Sequence, residues 1–141
     1  MRIYNIGYQG KSLASFCSLL LDRGVQTLVD VRARAWSQRP DFRKTKLAGA
    51  LADAGITYVH LKTAGNPFRP KPGEVQDAAL CSGLYQQHLD EHPEILDELA
   101  ALERDGDVAV MCFEAERMQC HRGVLLRDLA AVQKRLKVID V

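Results

Sequence analysis

The stretch MCFEAERMQCHR, residues 111–122, brings several reactive side-chain types together directly after an apolar run. Cys112 supplies a thiol, Glu114 a carboxylate and His121 an imidazole. A thiolate that faces a helix N-terminus and neighbouring arginines is stabilised and reactive, so Cys112 is a candidate nucleophile. Glu114 and His121 are candidates for an acid and base pair, since imidazole titrates near neutral pH. These three residues are the predicted catalytic groups of any enzymatic activity.

Positive charge accumulates in a second segment, residues 32–46, which contains six basic residues and one acid. Two aromatic residues, Trp36 and Phe42, lie among the basic ones. This composition is typical of a segment that binds an anionic partner, either a small molecule such as a nucleotide or a nucleic acid.

A non-covalent anion site is the interpretation that uses most of these residues. Arg122 and the backbone amides of a helix start can hold an anion, while Asp30 and Glu114 can accept hydrogen bonds from a base, ribose or sugar. The sequence therefore favours a nucleotide-related or nucleic-acid-related anion site, with or without turnover. Its predicted ligand-binding residues are Asp30, Arg32, Arg39 and Arg122.

A cysteine-dependent enzyme is a second hypothesis. Cys112 and Arg117 have the C-x-x-x-x-R spacing with which rhodanese-like and phosphatase-like loops surround a thiolate nucleophile. The carboxylates of Glu114 and Glu116 would oppose an anion in such a loop.

A metal site is a third hypothesis. Cys112, Cys120 and His121 are candidate ligands because zinc accepts sulfur and nitrogen donors, with His60 or His88 as a distant fourth. Structural zinc sites usually present paired ligands two to four residues apart, and this chain has no C-x-x-C. The sequence names no particular cofactor.

A purely structural role would account for the same residues. Arg122 would bridge Glu114 or Asp30, His121 would cap a helix, and Cys112 would be an inert strand residue. A charge at Asp30, directly after a buried strand, needs a partner in either case.

Composition narrows the class of protein. With 141 residues, 47% of them hydrophobic, the chain is expected to form one domain, residues 1–141. The formal net charge of +1 favours neither a nucleic acid nor a membrane as overall partner. Without a leader-like start or an apolar run of about 20 residues, we expect a cytoplasmic protein with no membrane contact.

Residues 90–107 carry eight acids and one arginine, which is typical of a solvated helical surface.

The apolar pattern alternates strands with helices. Strands are predicted near residues 2–7, 27–32, 57–61, 108–113 and 138–141. Helices are predicted after Ser12, from a Thr45 cap, near 75–88, from Pro93, and from Gln119 or Cys120. This alternation predicts an α/β fold, a three-layer (αβα) Rossmann-like domain with a mostly parallel sheet.

Such a sheet binds ligands beyond the carboxyl ends of its strands, which gathers distant residues at one edge. The expected groups are residues 7–8, 30–32, His60 and 112–122. The proline-rich stretch 62–73 is predicted to be a loop long enough to act as a lid or binding segment. Trp36 and Tyr58 are interpreted as packing residues.

The motifs resemble one known family. NIGYQG, VDVRARAWSQRPDF, AGITYVHL with AGNP, and C-F-E followed by C-H-R occur here in the order found in the domain of unknown function 488 family. The resemblance covers nearly the whole chain and implies a compact α/β domain, but it names no reaction. It is closest at Asp30-Val31-Arg32, Ser37, Arg39, Phe42, Cys112, Glu114 and Cys120-His121-Arg122.

Overall fold

The computed structural model describes residues 2–68, 78–117 and 121–141. In these ranges five strands form one all-parallel sheet: β1 (Arg2–Gly7), β2 (Thr27–Asp30), β3 (Thr57–His60), β4 (Val108–Cys112) and β5 (Lys137–Asp140). Their order across the sheet is β3-β2-β4-β1-β5. The described helices are α1 (Leu13–Asp22), α2 (Lys44–Asp53), α3 (Ala78–Glu91), α4 (Glu94–Glu103) and α5 (Arg122–Val132).

Helices cover both faces of the sheet, as the alternation of elements predicted. In β4 all five residues are buried: Val108, Val110 and Cys112 point to one face, Ala109 and Met111 to the other. The first face packs against α3, α4 and α5, and the second against α1 and α2. Strands buried on both faces read as continuous apolar runs, which is why β4 was readable from sequence. The three-layer αβα architecture is confirmed.

The middle of the sheet is where the connections change face. The helices that follow β1 and β2 cover one face, whereas α5, which follows β4, covers the other. The strand β4 lies between β1 and β2. At the carboxyl edge the chain therefore turns towards one face of the sheet after β4 and towards the other face after both of its neighbours. Ligands of doubly wound sheets bind at such a position.

Several helix boundaries differ from prediction. Ser12 does cap α1, with its hydroxyl accepting from the backbone N–H of Ser15 at 3.1 Å. Thr45 does not cap α2: the helix begins at Lys44, and Arg43 is its N-cap. A 3₁₀ turn at Pro40–Phe42 immediately precedes it and sets this earlier start. The helix α5 begins at Arg122, while its predicted start at 119 or 120 lies outside the described residues.

The predicted loop at residues 62–73 is described only as far as residue 68. It opens with a 3₁₀ turn at Lys62–Ala64, which the sequence pattern did not predict. Gly65 then packs on the backbone of Ala33, where a Cβ on Gly65 would lie 2.3 Å from the Ala33 Cα. The loop is thereby held against the segment that follows β2.

Candidate functional site at the carboxyl edge

Asp30, the last residue of β2, is fully buried and forms an ion pair with Arg32. Arg32 Nη2 donates to Asp30 Oδ2 at 2.7 Å, and Nε donates to Oδ1 at 2.9 Å. The backbone N–H of Arg32 also reaches Oδ1, at 3.1 Å. A buried carboxylate needs such compensation, and this pair supplies it locally.

The Tyr58 hydroxyl completes the surroundings of Asp30 from the neighbouring strand β3. It donates to Asp30 Oδ2 at 2.6 Å. Burial, reinforced by the charge of Asp30, raises the pKa of Tyr58, so the phenol stays protonated. The interpretation of Tyr58 as a mere packing residue missed this hydrogen bond.

The remaining donors of Arg32 hold the loop that follows β2. Its Nη1 donates to the backbone oxygen of Phe42 at 2.8 Å and lies 3.4 Å from that of Trp36. Burial acts to lower the pKa of Arg32, but hydrogen bonds and charge from Asp30 outweigh it and raise the pKa. With only 5% of its surface exposed, Arg32 is placed to organise this loop.

The loop after β1 lies directly against the loop after β4. Gly7 is the contact point, since a Cβ there would lie 1.8 Å from the carbonyl oxygen of Glu114. Tyr8 is buried and stacks on Phe42, with ring centroids 4.4 Å apart and an interplanar angle of 11°. The two loops and the segment after β2 therefore meet at one edge, as the parallel topology predicted.

Arg39 and Lys11 bring positive charge to this edge. Arg39 donates through Nη1 to the carbonyl of Tyr8 at 2.9 Å and through Nη2 to that of Lys11. Lys11 Nζ donates to the carbonyl of Gly7 at 2.7 Å. Both side chains are only partly buried, so solvent can reach them.

Arg122, the first residue of α5, places a third cation beneath them. It is fully buried and donates to the carbonyl oxygens of Ile6 and Glu114. Among the described residues, its Nε has no hydrogen-bond partner and no carboxylate lies within ion-pair distance of it. Burial and the charge of Arg122 lower the pKa of Lys11. The charge of Arg122 is therefore uncompensated by any described acid.

The predicted catalytic residues lie at the end of β4, in the loop that follows it and directly before α5. Cys112 is 1% exposed and pairs with Gly7 across the sheet. His121 Nε2 donates to the carbonyl of Val31 at 2.8 Å. Glu114 is half-buried, and its backbone carbonyl is the part that accepts from Arg122.

The imidazole of His60 plays a similar part to that of His121. Its Nε2 donates to the carbonyl of Arg32 at 2.7 Å. Both histidines therefore hold the backbone that follows β2. His88, the other distant candidate ligand, lies instead on α3, with its Nε2 3.4 Å from the carbonyl of Thr63.

Candidate metal ligands cannot all be placed. Cys120 lies outside the described residues, so its relation to Cys112 and His121 stays a prediction. Among the residues that are described, no group of three His, Cys, Asp or Glu side chains is arranged to hold a metal ion.

The described residues also form a groove in the helical layer that contains α3 and α5. It lies between α3 and α5, has a volume of about 610 Å³, and is lined in part by Gln86, Arg117, Gly123 and Arg127. Of the described residues lining it, Arg117 lies in the segment 112–122 that the sequence assigns to the site. Among the described helices, none is both long and apolar enough to cross a membrane.

Sequence reasoning placed Tyr8 at the edge but missed Lys11 and Tyr58 as parts of it. A signal for Lys11 existed, because it is the first basic residue in the loop that follows β1. The hydroxyl of Tyr58 gave no signal, since its partner Asp30 lies on another strand.

Fold and edge together define a class of protein: an α/β domain with a doubly wound parallel sheet and a cluster of cations where its connections change face. The chain belongs to the family described as Domain of unknown function DUF488, whose model matches residues 12–129 of the 141. No curated protein matches the chain, and no solved structure matches it. The family description names no reaction, so function has to be argued from the site.

Proposed function

We propose that the protein binds a small anion of the nucleotide class, through its phosphate, at the carboxyl edge between β1 and β4. The proposal rests on three cations of this edge, which are Lys11, Arg39 and Arg122. The segments that carry them are the loop after β1, the loop after β2 and the first turn of α5.

The buried charge of Arg122, which forms no ion pair with any described acid, is the observation that carries this proposal. A guanidinium removed from water is costly unless it is paired, and carbonyl oxygens offset that cost only in part. In a poorly polarisable interior its field extends further than it would in water. A phosphate at the edge would supply the missing negative charge.

Lys11 and Arg39 are the cations that such an anion can reach. Both are partly exposed, and backbone carbonyls hold both in position. The lowered pKa of Lys11, caused by its burial and by the charge of Arg122, would return towards normal once an anion neutralised the edge. Positive side chains fixed in advance bind phosphate without a large loss of conformational entropy.

Asp30 and Arg32 take a supporting part in this proposal. Their charges satisfy each other, and Arg32 ties down the loop that carries Arg39. Substitution of either would disturb the loop as well as any ligand. Lys11 is therefore the sharper test.

The test is calorimetric titration of the protein with inorganic pyrophosphate and with ADP. We expect saturable binding of both, weakened roughly 10-fold or more in Lys11→Met, as for loss of a charged hydrogen bond of about 1.5–3 kcal/mol. The matched control is Lys137→Met, an exposed lysine at the start of β5 and hence at the opposite edge. Its affinity for both probes should match that of the unmodified protein.

Two results would contradict the proposal: no saturable binding of either probe in the millimolar range, or equal losses in Lys11→Met and Lys137→Met. Under the binding proposal, Cys112→Ser keeps its affinity for pyrophosphate within a few-fold of that of the unmodified protein. The cysteine-enzyme alternative is tested separately by the pH dependence of thiol alkylation at Cys112, whose midpoint would have to lie well below the ordinary thiol pKa of about 8.5. Burial of Cys112 at 1% exposure agrees with a residue that does not meet the ligand.

A further inference from the structure

Trp36, the chain's single tryptophan, is exposed on the loop after β2. Its side chain is 45% exposed, so its interpretation as a packing residue is wrong. The guanidinium carbons of Arg43 and Arg34 lie 4.8 Å and 5.7 Å from its ring centroid. A large part of the indole surface is thus exposed to solvent, and two arginines make cation–π contacts with the ring.

The backbone around Trp36 is held firmly although its ring is not buried. The backbone oxygen of Ser37 accepts from Arg43 Nε at 2.9 Å, and that of Ala35 accepts from the N–H of Lys44 at 3.1 Å. Buried Arg32 lies 3.4 Å from the carbonyl oxygen of Trp36 itself. The ring is presented on a fixed loop, which reduces the entropy lost when a partner binds.

The cations near this ring have no acidic partner in the part of the chain that the structure describes. Among the described residues Arg34, Arg43 and Lys44 form no ion pair, whereas Lys46 pairs with Asp41 at 2.5 Å. Cations left unpaired beside an exposed aromatic ring match the charge and the flat bases of a nucleic acid strand.

We propose that Trp36, Arg34 and Arg43 form a stacking platform for single-stranded nucleic acid, with a base on the indole and the arginines on flanking phosphates. The inference rests on the proposed function, because it identifies the nucleotide at the carboxyl edge as part of a strand. An unpaired base offers its face to an aromatic side chain, whereas a base inside a duplex does not.

The fluorescence of Trp36 reports directly on this platform. The full-length protein is titrated with an oligothymidylate and with an abasic strand of equal length and charge, at about 50 mM and about 200 mM salt. We expect oligothymidylate to quench the fluorescence and bind several-fold more tightly than the abasic strand. Both affinities should fall as salt rises, because phosphate contacts release counterions.

Variants are compared by the anisotropy of a labelled oligothymidylate. Trp36→Ala should weaken binding roughly 5- to 150-fold, the range found for loss of one base-stacking aromatic residue. Arg34→Ala and Arg43→Ala should each weaken it and lower its salt dependence. Lys46→Ala, which removes a cation already paired with Asp41, is the matched control and should stay within about twofold.

Equal affinity for the thymidylate and abasic strands, or an unchanged affinity in Trp36→Ala, would overturn the platform. Binding of a protein partner through the same exposed ring predicts that outcome. Failure of the proposed anion site looks different: pyrophosphate does not bind, while oligothymidylate still quenches Trp36. Because Trp36 is exposed, its substitution is not expected to unfold the protein, and circular dichroism of the variant checks this.

Discussion

Asp30 and Arg122 are both fully buried charges, and their surroundings differ. Asp30 receives hydrogen bonds from Arg32 and Tyr58, whereas Arg122 is surrounded by carbonyl oxygens and has no described acidic partner. A compensated buried charge costs the fold little, while an uncompensated one weakens the unliganded fold and favours binding of an opposite charge. Under the proposed function, Asp30 and Arg32 therefore support the loop, while Arg122 attracts the anion.

Removal of the Tyr58 hydroxyl tests the structural half of this argument. Tyr58→Phe should lower the free energy of unfolding by about 1.5–3 kcal/mol, because Asp30 loses a hydrogen bond to a charged group. Tyr4→Phe is the control, since Tyr4 is buried and its hydroxyl bonds no described residue. Urea denaturation measures both. If the two variants lose the same free energy of unfolding, the hydrogen bond from Tyr58 to Asp30 does not stabilise the fold as proposed.

At the scale of elements, the edge depends on how closely the loops after β1 and β4 approach. Gly7 ends β1, and Glu114 follows β4, with their backbones in contact because position 7 has no side chain. Arg122 holds the same two segments through Ile6 and Glu114. A glycine and a buried arginine thus set the spacing that brings the cations together.

A methyl group at Gly7 should break this contact. Gly7→Ala should cost about 3 kcal/mol or more, since the added Cβ would meet the backbone of Glu114 rather than a flexible side chain. The matched change is Gly49→Ala in α2, where a Cβ would meet no atom within 4 Å. That variant should gain about 0.5–1 kcal/mol from improved helix propensity. Thermal or urea unfolding measures the change in stability of each variant. A change of the same sign in both would refute the close approach of Gly7 to the backbone of Glu114.

Over the whole molecule, a formal net charge of +1 conceals separate regions of opposite sign. Residues 32–46 collect cations at the carboxyl edge, while residues 90–107 collect acids around α4. The acidic stretch was predicted to be solvated, and Glu103 is an exception at 7% exposure. It follows Ile95 and Leu99 at intervals of four residues, so it lies on the buried stripe of α4.

Glu103 should make stability depend on pH. Burial raises its pKa to about 7, and its carboxylate oxygens have no partner among the described residues. Because the folded protein holds this proton more tightly than the unfolded chain does, stability should fall as pH rises from about 4.5 to about 7.

The comparison of Glu103→Gln with the unmodified protein isolates this effect. The variant should be more stable by roughly 2–3 kcal/mol at pH 8 and nearly equal at pH 5, where Glu103 is also neutral. Glu98→Gln, an exposed position on the same helix, is the control and should show little pH-dependent difference. Urea midpoints at both pH values measure this. A constant difference between Glu103→Gln and the unmodified protein would contradict the raised pKa.

The sequence by itself determined the order of strands and helices, the parallel sheet and the Ser12 cap, because these depend on local periodicity and local hydrogen bonds. Through the rule for parallel sheets it also gathered the segments after β1, β2 and β4 at one edge. Composition alone marked the residues after β2 as basic and partly aromatic.

Only the tertiary structure decided which charges are compensated. Tyr58 reaches Asp30 from another strand, and Arg122 influences Lys11 from the opposite end of the chain. Burial likewise separated Trp36, which stays exposed, from Glu103, which does not. These outcomes depend on distances between segments remote in sequence, and no local pattern of residues encodes such a distance.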